Sequence, residues 1–528
     1  MHTTSSDKKP PDHKAATPDS NSEDVQQGQI VPIQPALGDG PMPQSFSTLS
    51  SLGLAFSITG SWVGYLSCFG QNLQYAGPQN VVFGLVVATF VQWVITLGLA
   101  EIASAFPTSG GQYHAVYLLA TDRYRRPLSY LCGWFAMLGW WIITCSGLVL
   151  ASTSILGLVA FCFDGFVMTA WRTYLVYLLV MAVTVGADKA VTTASPIFIR
   201  SRMVPWVTQM CLYVSVAGFL TSLVLVLAKH QHFQPGSYLV DPPSGSSGWP
   251  TAFAWILGAG NSMYAYVGTD AATHIAEEMP QPGRRIPQIM NLTMLIGVLS
   301  ALPLFVAMMY TMTDAERVAT APLPALEAFY QATGSRAVAI VIQVWVTTVY
   351  VASITSQWVT SGRMAWAFAR DNGLPFSSTF AKVNARTESP LNATCLSLAF
   401  ATVYGLLYLA STNAFNSITT SAVLYLNISY VIPQAILLAR GRSILPKSRY
   451  LNLGSLLGTF CNAFAVVAVS LLVVLYSFPT TLPTTVASMN YSSVVLVGLV
   501  LVIVGVWKVI GHDFHGPNVD LEGLRLLL

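Results

Sequence analysis

Long apolar stretches of this sequence contain no Asp, Glu, Lys or Arg, and they limit the possible folds more than any other feature. A membrane-spanning helix needs about 20 predominantly apolar residues. Three stretches have room for two such helices each: 40–100, 389–439 and 450–507. Six more have room for one each: 127–163, 173–187, 203–228, 242–269, 286–313 and 337–362. The sequence therefore predicts an all-α polytopic membrane protein with twelve spans.

The composition agrees with a membrane protein. Charged residues make up only 9% of the chain, whereas soluble domains carry about 25%, which excludes a water-soluble globule. Residues 1–45 differ because they are polar and lack the hydrophobic segment of a cleaved signal. We expect this tail to be disordered. The basic residues are spread over the loops, so nothing in the charge indicates a nucleic-acid partner.

The twelve spans divide into two blocks and a trailing pair. Spans 1–5 fall within 46–228 and, after an outer loop at 229–250, spans 6–10 fall within 251–439. Because five is an odd number, the second block enters the membrane upside down. Blocks of 183 and 189 residues with opposite orientation predict a five-plus-five inverted repeat. Spans 11 and 12 lie within 440–511, and 512–528 form a C-terminal tail.

The distribution of Lys and Arg predicts the orientation. If both termini are cytoplasmic, sixteen of the 25 basic residues lie in inner loops and only four lie in outer loops. Basic residues concentrate in the short cytoplasmic loops of membrane proteins. The sequence therefore predicts a multi-pass protein with both termini in the cytoplasm.

Span 6 contains an unusual group of residues at mid-membrane depth. Tyr266, Val267 and Gly268 are followed by Thr269 and Asp270. A carboxyl group inside hydrocarbon costs several kcal/mol unless it faces protein or water, and glycine allows a helix to open there. Broken helices near the midplane form the substrate sites of many secondary transporters. The sequence therefore predicts an interruption of span 6 at Gly268.

A partner interruption is predicted in span 1, where Thr59, Gly60 and Ser61 form a small polar group in mid-span. Gly, Ser and Thr also line ordinary close contacts between membrane helices, so packing is the alternative for either group alone. The matching positions of the two groups in the two blocks favour the functional interpretation.

Four segments resemble the amino acid–polyamine–organocation (APC) superfamily, and within it the fungal choline and γ-aminobutyrate permeases. They are Gly98–Glu101 with the following Pro107 and Ser109–Gln112, Thr273–Glu278 with Arg285–Pro287, Ala369–Pro375, and Pro390–Ala393. This resemblance, which extends over about 46–515, implies a five-plus-five fold and secondary, usually proton-coupled transport of amino acids or small amines. Many members have a Gly-x-Gly break in span 1, whereas here Gly60 is flanked by Thr59 and Ser61, so carboxylate docking of the usual kind is not assured.

In this fold the half-helix after the first break would direct its free N–H groups at the substrate, which suits a carboxylate. Free carbonyl groups at the half-helix ends suit an ammonium group. Predicted backbone contacts come from Thr59, Gly60, Ser61, Tyr266, Val267 and Gly268. A quaternary amine would instead need aromatic faces, and the candidates are Trp62, Trp140, Tyr264 and Tyr266. For each Trp, anchoring at the membrane interface or simple packing is the alternative.

Asp270 is the candidate for neutralising a substrate amine or carrying a coupled proton. Its alternatives are capping of the half-helix and pairing with His274 one turn later. Glu101 is a second gate or proton candidate, with a structural hydrogen bond as its alternative. His274 is a third candidate, because histidine titrates near neutral pH, and its alternative is an ordinary polar contact at a helix end. Glu277 and Glu278 are expected to form solvated ion pairs with the nearby Arg284 and Arg285, or alternatively an inner gate.

The sequence favours a proton-coupled symporter for an amino acid, γ-aminobutyrate or a choline-like amine. We find no phosphate-binding loop, metal-ligand spacing or nucleophile elbow, so we expect no enzyme and no cofactor. The alternatives are sodium coupling, a non-transporting nutrient receptor of the same fold, and a channel. The resemblance implies the plasma membrane, and the sequence does not indicate an oligomeric state.

Overall fold

The fold of this chain is built from helices. The structure is a computed structural model, and it describes residues 42–185, 201–410, 412–485 and 489–517. Most of the predicted tails at 1–45 and 512–528 lies outside these residues. Where the N-terminal tail is described, Met42 is already buried, and the backbone N–H of Phe46 donates to the carbonyl of Glu278 at 3.0 Å. Close packing therefore begins a few residues before the predicted start of span 1.

Seven α-helices are described in the first block. They are α1 (Thr48–Thr59), α2 (Ser61–Leu66), α3 (Phe69–Ala105), α4 (Gln112–Leu119), α5 (Arg125–Cys162), α6 (Ala170–Val185) and α7 (Val204–Lys229). The α3 helix begins at Phe69. Its first seven residues form a separate segment, because Ala76 and Gly77 are non-helical and Pro78 lacks the N–H that would continue the ladder.

The second block and the trailing pair follow the same pattern of long and short helices. They are α8 (Thr251–Ser262), α9 (Pro282–Thr311), α10 (Ala315–Thr320), α11 (Pro324–Thr333), α12 (Arg336–Arg370), α13 (Ser377–Phe380), α14 (Leu391–Ala410), α15 (Thr412–Arg440), α16 (Gly454–Leu475) and α17 (Ser492–Ile510). Two 3-10 helices, Met263–Tyr266 and Ala271–Glu278, lie between α8 and α9.

Nine helices in the described ranges are long and apolar enough to cross a membrane. They belong to α3, α5, α7, α9, α12, α14, α15, α16 and α17. The apolar α6 has 16 residues and is shorter, and the predicted spans 1 and 6 are split into pieces. The all-α membrane class is confirmed, and the total of twelve spans stays a prediction.

Span 1 is interrupted where the sequence predicts. The α1 helix ends at Thr59, α2 begins at Ser61, and Gly60 between them has φ of 40° and ψ of 46°. This left-handed conformation costs residues with a side chain about 1–2 kcal/mol, whereas glycine adopts it freely. One residue therefore ends the first half-helix and starts the second.

Span 6 is interrupted over a longer segment than span 1. The α8 helix ends at Ser262, so the interruption starts before the predicted break at Gly268. A 3-10 helix follows, then Val267 is extended and Gly268 has φ of 81°. The backbone N–H groups of Gly268 and Thr269 make no hydrogen bond to another backbone group within the described part of the chain. The predicted break at Gly268 is therefore present.

Candidate functional site

The interruption of span 6 lies against α1 and α5. A methyl group added at Gly268 would lie 3.2 Å from Cγ2 of Ile58, in α1, and 3.2 Å from the Trp140 ring, in α5. All three residues are buried. The absence of a side chain at Gly268 therefore lets span 6 approach both α1 and α5 at the point where its helix is broken.

Asp270 is the centre of a buried hydrogen-bond cluster just after this break. Its Oδ2 accepts from Nε2 of Gln112 at 2.6 Å and from Nε1 of Trp140 at 3.3 Å, while its Oδ1 accepts from the Tyr430 hydroxyl at 2.5 Å. Oδ2 also lies 3.0 Å from Nε2 of His274. The carboxyl group makes no capping bond to the following helix. Of its two predicted alternatives, the structure therefore contains the pairing with His274.

His274 has both ring nitrogens engaged. Nδ1 lies 3.0 Å from the carbonyl oxygen of Ser109, and a carbonyl oxygen can only accept, so Nδ1 carries a hydrogen. Nε2 lies 3.0 Å from Oδ2 of Asp270 and 3.1 Å from Nε1 of Trp140. Nε2 has two possible arrangements. Without a hydrogen it accepts from Nε1–H of Trp140; with an extra proton it donates to Oδ2 of Asp270, and Trp140 then donates to the same oxygen at 3.3 Å.

Three buried polar side chains around the interruptions have atoms without a hydrogen-bond partner. Oγ1 of Thr59, Oγ of Ser61 and both amide atoms of Gln92 are unpaired in the described structure. Neighbours on α3 place Gln92 beside span 6, because Thr89 bonds the Tyr266 hydroxyl at 2.6 Å and Thr96 bonds Thr269 at 3.2 Å. Each unpaired buried group costs about 1–3 kcal/mol, so a polar ligand or water held here would gain that energy back.

A cavity of about 780 Å³ opens on one face of the bundle and reaches the start of the span 6 interruption. We call this the cavity face; the loop residues that line the cavity there include Ser67, Pro322, Thr480 and Asn490. Among the described residues that line the cavity, none is Asp, Glu, Lys or Arg. Five are tyrosines: Tyr75, Tyr264, Tyr350, Tyr408 and Tyr476. The cavity therefore offers aromatic faces and neutral hydroxyl and amide groups.

Of the predicted substrate residues, Tyr264 is the one that the structure places on the cavity wall, where its hydroxyl bonds Ser146. The other aromatic candidates are buried behind it with their polar atoms engaged. Trp62 donates to Ser215 at 3.1 Å, and Tyr266 bonds Thr89. Gly60, Gly268 and Asp270 are also buried. In this conformation the two interruptions are therefore covered rather than open to the cavity.

The opposite face is closed by ion pairs, and we call it the ion-pair face. The expected partners of Glu277 and Glu278 were wrong, because neither pairs with Arg284 or Arg285. Glu278 pairs with Arg363, with Oε2 accepting from Nη2 at 2.8 Å, and the two side chains are only 0% and 4% exposed. Glu277 receives two 3.0 Å bonds from Arg370. The α12 helix supplies both arginines because it continues to Arg370, beyond the predicted end of span 8 near 362.

Glu101 joins α3 to the segment between α15 and α16. It pairs with Arg442, and its Oε1 accepts from Nε of Arg449 at 2.9 Å and from the backbone N–H of Leu453 at 3.2 Å. With both oxygens engaged by fixed donors, Glu101 has the surroundings of a structural contact, which was its predicted alternative.

Sequence reasoning missed a second buried His–Asp pair on the ion-pair face. Asp371 accepts from the Tyr113 hydroxyl at 2.8 Å and lies 2.6 Å from Nε2 of His114. Burial, and then the charge of Asp371, raise the pKa of Tyr113 well above its ordinary value, so the phenol stays a donor. Because Gln112 contacts Asp270, three consecutive residues of α4 connect span 6 to the end of α12. Gln112 belongs to the family-like motif, but nothing in the sequence indicates its partner.

Comparison with known proteins agrees with this architecture. The family model described as "Amino acid permease" matches residues 46–501. The chain is 31% identical to the choline transporter of Saccharomyces cerevisiae, over 90% of this chain and 84% of that protein. It is 28% identical to the swainsonine transporter swnT of Arthroderma benhamiae, over 92% of this chain and 97% of that protein. It is 24% identical to the 7-keto 8-aminopelargonic acid transporter of Saccharomyces cerevisiae, over 85% and 89%.

A solved structure shares the fold at low sequence identity. The crystal structure of a mutant manganese transporter from Eremococcus coleocola superposes with a TM-score of 0.52 at 13% identity, covering 89% of this chain and 94% of that chain. The predicted resemblance to the APC superfamily is confirmed, and so is the expectation that the chain is not an enzyme. The chain belongs to the amino acid permease family of integral membrane transport proteins.

Proposed function

We propose that this chain transports an amino acid or a small amine by alternating access and couples this movement to protons. One observation carries the proposal: a cavity reaches the broken span 6 from one face, while buried ion pairs close the other face. A transporter of this kind alternates between states that open a central site to one side at a time. In the present conformation the ion-pair face is closed, and the cavity on the other face extends as far as Tyr264, while the interruptions themselves are covered.

Proton coupling is supported by the Asp270–His274 pair. The extra proton between the two side chains is the group that an acidic outer solution would supply. Its loss would turn the indole N–H of Trp140 from Asp270 to Nε2 of His274 and leave the carboxylate charged, which changes the hydrogen bonds beside the break. A proton bound next to a broken helix can therefore change the stability of the closed site. We assign the coupling role to Asp270, with His274 sharing its proton.

The substrate class follows from the cavity and the relatives together. An uncharged wall with five tyrosines suits a small organic cation, because an ammonium group is attracted to aromatic faces even without N–H donors. The free hydroxyl groups of Thr59 and Ser61 suit the polar end of such a molecule. Relatives that are named for choline and for 7-keto 8-aminopelargonic acid support an amine. We infer a choline-like amine, an amino acid or γ-aminobutyrate.

The orientation belongs to the same proposal. With both termini in the cytoplasm, the cavity face is extracellular and the ion-pair face is cytoplasmic, as the distribution of basic residues favours. The plasma membrane is the proposed location. The protein would then import its substrate from the outside, driven by an inward proton gradient.

Uptake into proteoliposomes tests this function. Radiolabelled choline, γ-aminobutyrate, arginine and putrescine are each supplied with and without an imposed pH gradient, acidic outside. We expect accumulation of at least one of them only when the gradient is present, and competition by unlabelled substrate. Accumulation that ignores the pH gradient would overturn proton coupling. Binding of a solute without any flux would instead identify a receptor.

A further inference from the structure

The segment after α17 does not leave the protein but crosses the ion-pair face. We call residues 511–517 the C-terminal strap. Within it, Gly511, Phe514, Gly516 and Pro517 are buried, while His512 and Asp513 are exposed. The alternation shows that one side of the strap is packed against the helices and the other faces away from them.

Arg126, in the first turn of α5, fixes the path of the strap backbone. Its Nη2 donates to the carbonyl oxygens of Gly511 at 2.8 Å and His512 at 2.9 Å, and its Nε donates to the carbonyl oxygen of Phe514 at 2.9 Å. A guanidinium group presents several donors in a fixed plane. Three bonds from one side chain therefore hold the strap in a single conformation.

Phe514 anchors the strap by its side chain. The ring is fully buried and packs edge-on against Tyr130 of α5, with centroids 5.3 Å apart, and at a tilt against Phe368 of α12, with centroids 5.9 Å apart. Aromatic rings at these distances attract one another beyond simple burial. The ring therefore connects the inner ends of two long helices.

The end of the strap reaches the residues that hold α4. Gly516 packs against the ring of Tyr117 in α4, and the backbone N–H of His515 donates to the carbonyl oxygen of Asp371 at 3.3 Å. The side chain of Asp371 in turn binds Tyr113 and His114 of α4. The strap therefore contacts α4 directly and also through Asp371, and α4 extends to Asp270 through Gln112.

We propose that the C-terminal strap is a conformational lock that holds the ion-pair face closed and detaches when that face opens. Opening this face requires α4 to move away from α12, and the strap contacts both helices. Detachment exposes the Phe514 ring and breaks the three bonds from Arg126, so it opposes opening. This inference rests on the alternating access in the proposed function, but not on the substrate or the coupled ion.

Cysteine labelling at two positions tests the lock in the full-length protein. Ser67→Cys reports on the cavity face, because Ser67 is exposed and lines the cavity. Ser109→Cys reports on the ion-pair face, because Ser109 is buried, its hydroxyl is unpaired, and only its backbone binds His274. Labelling with a maleimide is quantified at each position by peptide mass spectrometry in detergent, without substrate or pH gradient.

Phe514→Ala should raise the labelling rate at position 109 about tenfold and lower the rate at position 67, because the closed state loses a fully buried aromatic contact. Arg126→Gln should act in the same direction without removing the ring, and it serves if Phe514→Ala does not fold. His512→Ala, an exposed change in the same strap, should leave both rates unchanged.

An unchanged rate at position 109 in both Phe514→Ala and Arg126→Gln would overturn the lock. Labelling rates that rise together at positions 109 and 67 would also overturn the lock. Such a result would indicate general unfolding, whereas the lock predicts that one face opens as the other closes. Because the labelling needs neither substrate nor gradient, its failure is distinct from a failure of proton-coupled uptake.

Discussion

Gly268 lies within the interruption of span 6, after α8 has ended at Ser262 and a 3-10 helix has followed. Its φ of 81° would strain any residue with a side chain, and a methyl group there would crowd Ile58 and Trp140 at 3.2 Å. The sequence predicted this residue correctly because the signal is local: a glycine beside Thr269 and Asp270 in an apolar segment. It could not predict the neighbours, because Ile58 and Trp140 are far away along the chain.

Gly268→Ala tests the local requirement. We expect the free energy of unfolding to fall by about 1–3 kcal/mol, the cost of a side chain in this backbone conformation, with further loss from the 3.2 Å contacts. The measurement is reversible denaturation in detergent micelles. Gly505→Ala is the matched control, because a methyl group in α17 meets open space there and favours the helix. Equal stability of the two variants would contradict the argument.

Asp270→Asn tests the coupling role. The amide cannot share a titratable proton with His274, so gradient-driven accumulation in proteoliposomes should fall about tenfold or more, while exchange of labelled for unlabelled substrate persists. Asp241→Asn is the control, since Asp241 is exposed in the loop between α7 and α8. Accumulation that survives in Asp270→Asn would remove this residue from the coupling role.

At the scale of elements, the ion-pair face is held by side chains from α12 and from the end of span 6. Glu278 and Arg363 are 85 residues apart in the chain and are both buried. An intact buried ion pair adds little net stability, because its attraction only roughly offsets the cost of desolvating the two charges. Removal of one partner leaves the other charge buried without a counter-charge. The Glu278–Arg363 pair therefore determines where the end of span 6 packs against α12.

Glu278→Gln should lower the free energy of unfolding by about 3–5 kcal/mol, because the Arg363 guanidinium is left buried without its counter-charge. Exchange of the two residues, Glu278→Arg with Arg363→Glu, should restore part of the loss. Glu327→Gln is the comparison, because its partner Arg317 is 64% exposed and such pairs contribute about 1 kcal/mol or less. Denaturation in micelles measures all three; equal losses at Glu278 and Glu327 would contradict burial as the cause.

At the scale of the whole molecule, the cavity and the ion pairs lie on opposite faces of one bundle. The apolar helices that connect the cavity face to the ion-pair face span the bilayer. The two interruptions lie between these faces, of which one is accessible and the other is closed. The C-terminal strap extends the closed side beyond the ion pairs. The two faces of the bundle therefore differ, whereas the two ends of a symmetric channel would not have to.

The orientation of these two faces can be measured in intact cells. Ser67→Cys on the cavity face should react with a membrane-impermeant maleimide from outside, and saturating substrate should slow the reaction about twofold or more by occupying the cavity. Ala385→Cys is the counterpart, since Ala385 is exposed in the loop between α13 and α14. It should react only after the cells are permeabilised. The opposite pattern would reverse the proposed orientation.

The sequence by itself determined the helical membrane class, the family and the two residues where spans 1 and 6 break. These features depend on hydropathy and backbone freedom, which neighbouring residues set locally. Only the tertiary structure decided the partners of the buried charges: Gln112 and Tyr430 reach Asp270 from 158 and 160 residues away. Glu277 and Glu278 were predicted to pair with near arginines but pair with distant ones. A buried charge is stabilised by whichever donor the packing of helices brings within about 3 Å, and separation along the chain does not encode that distance.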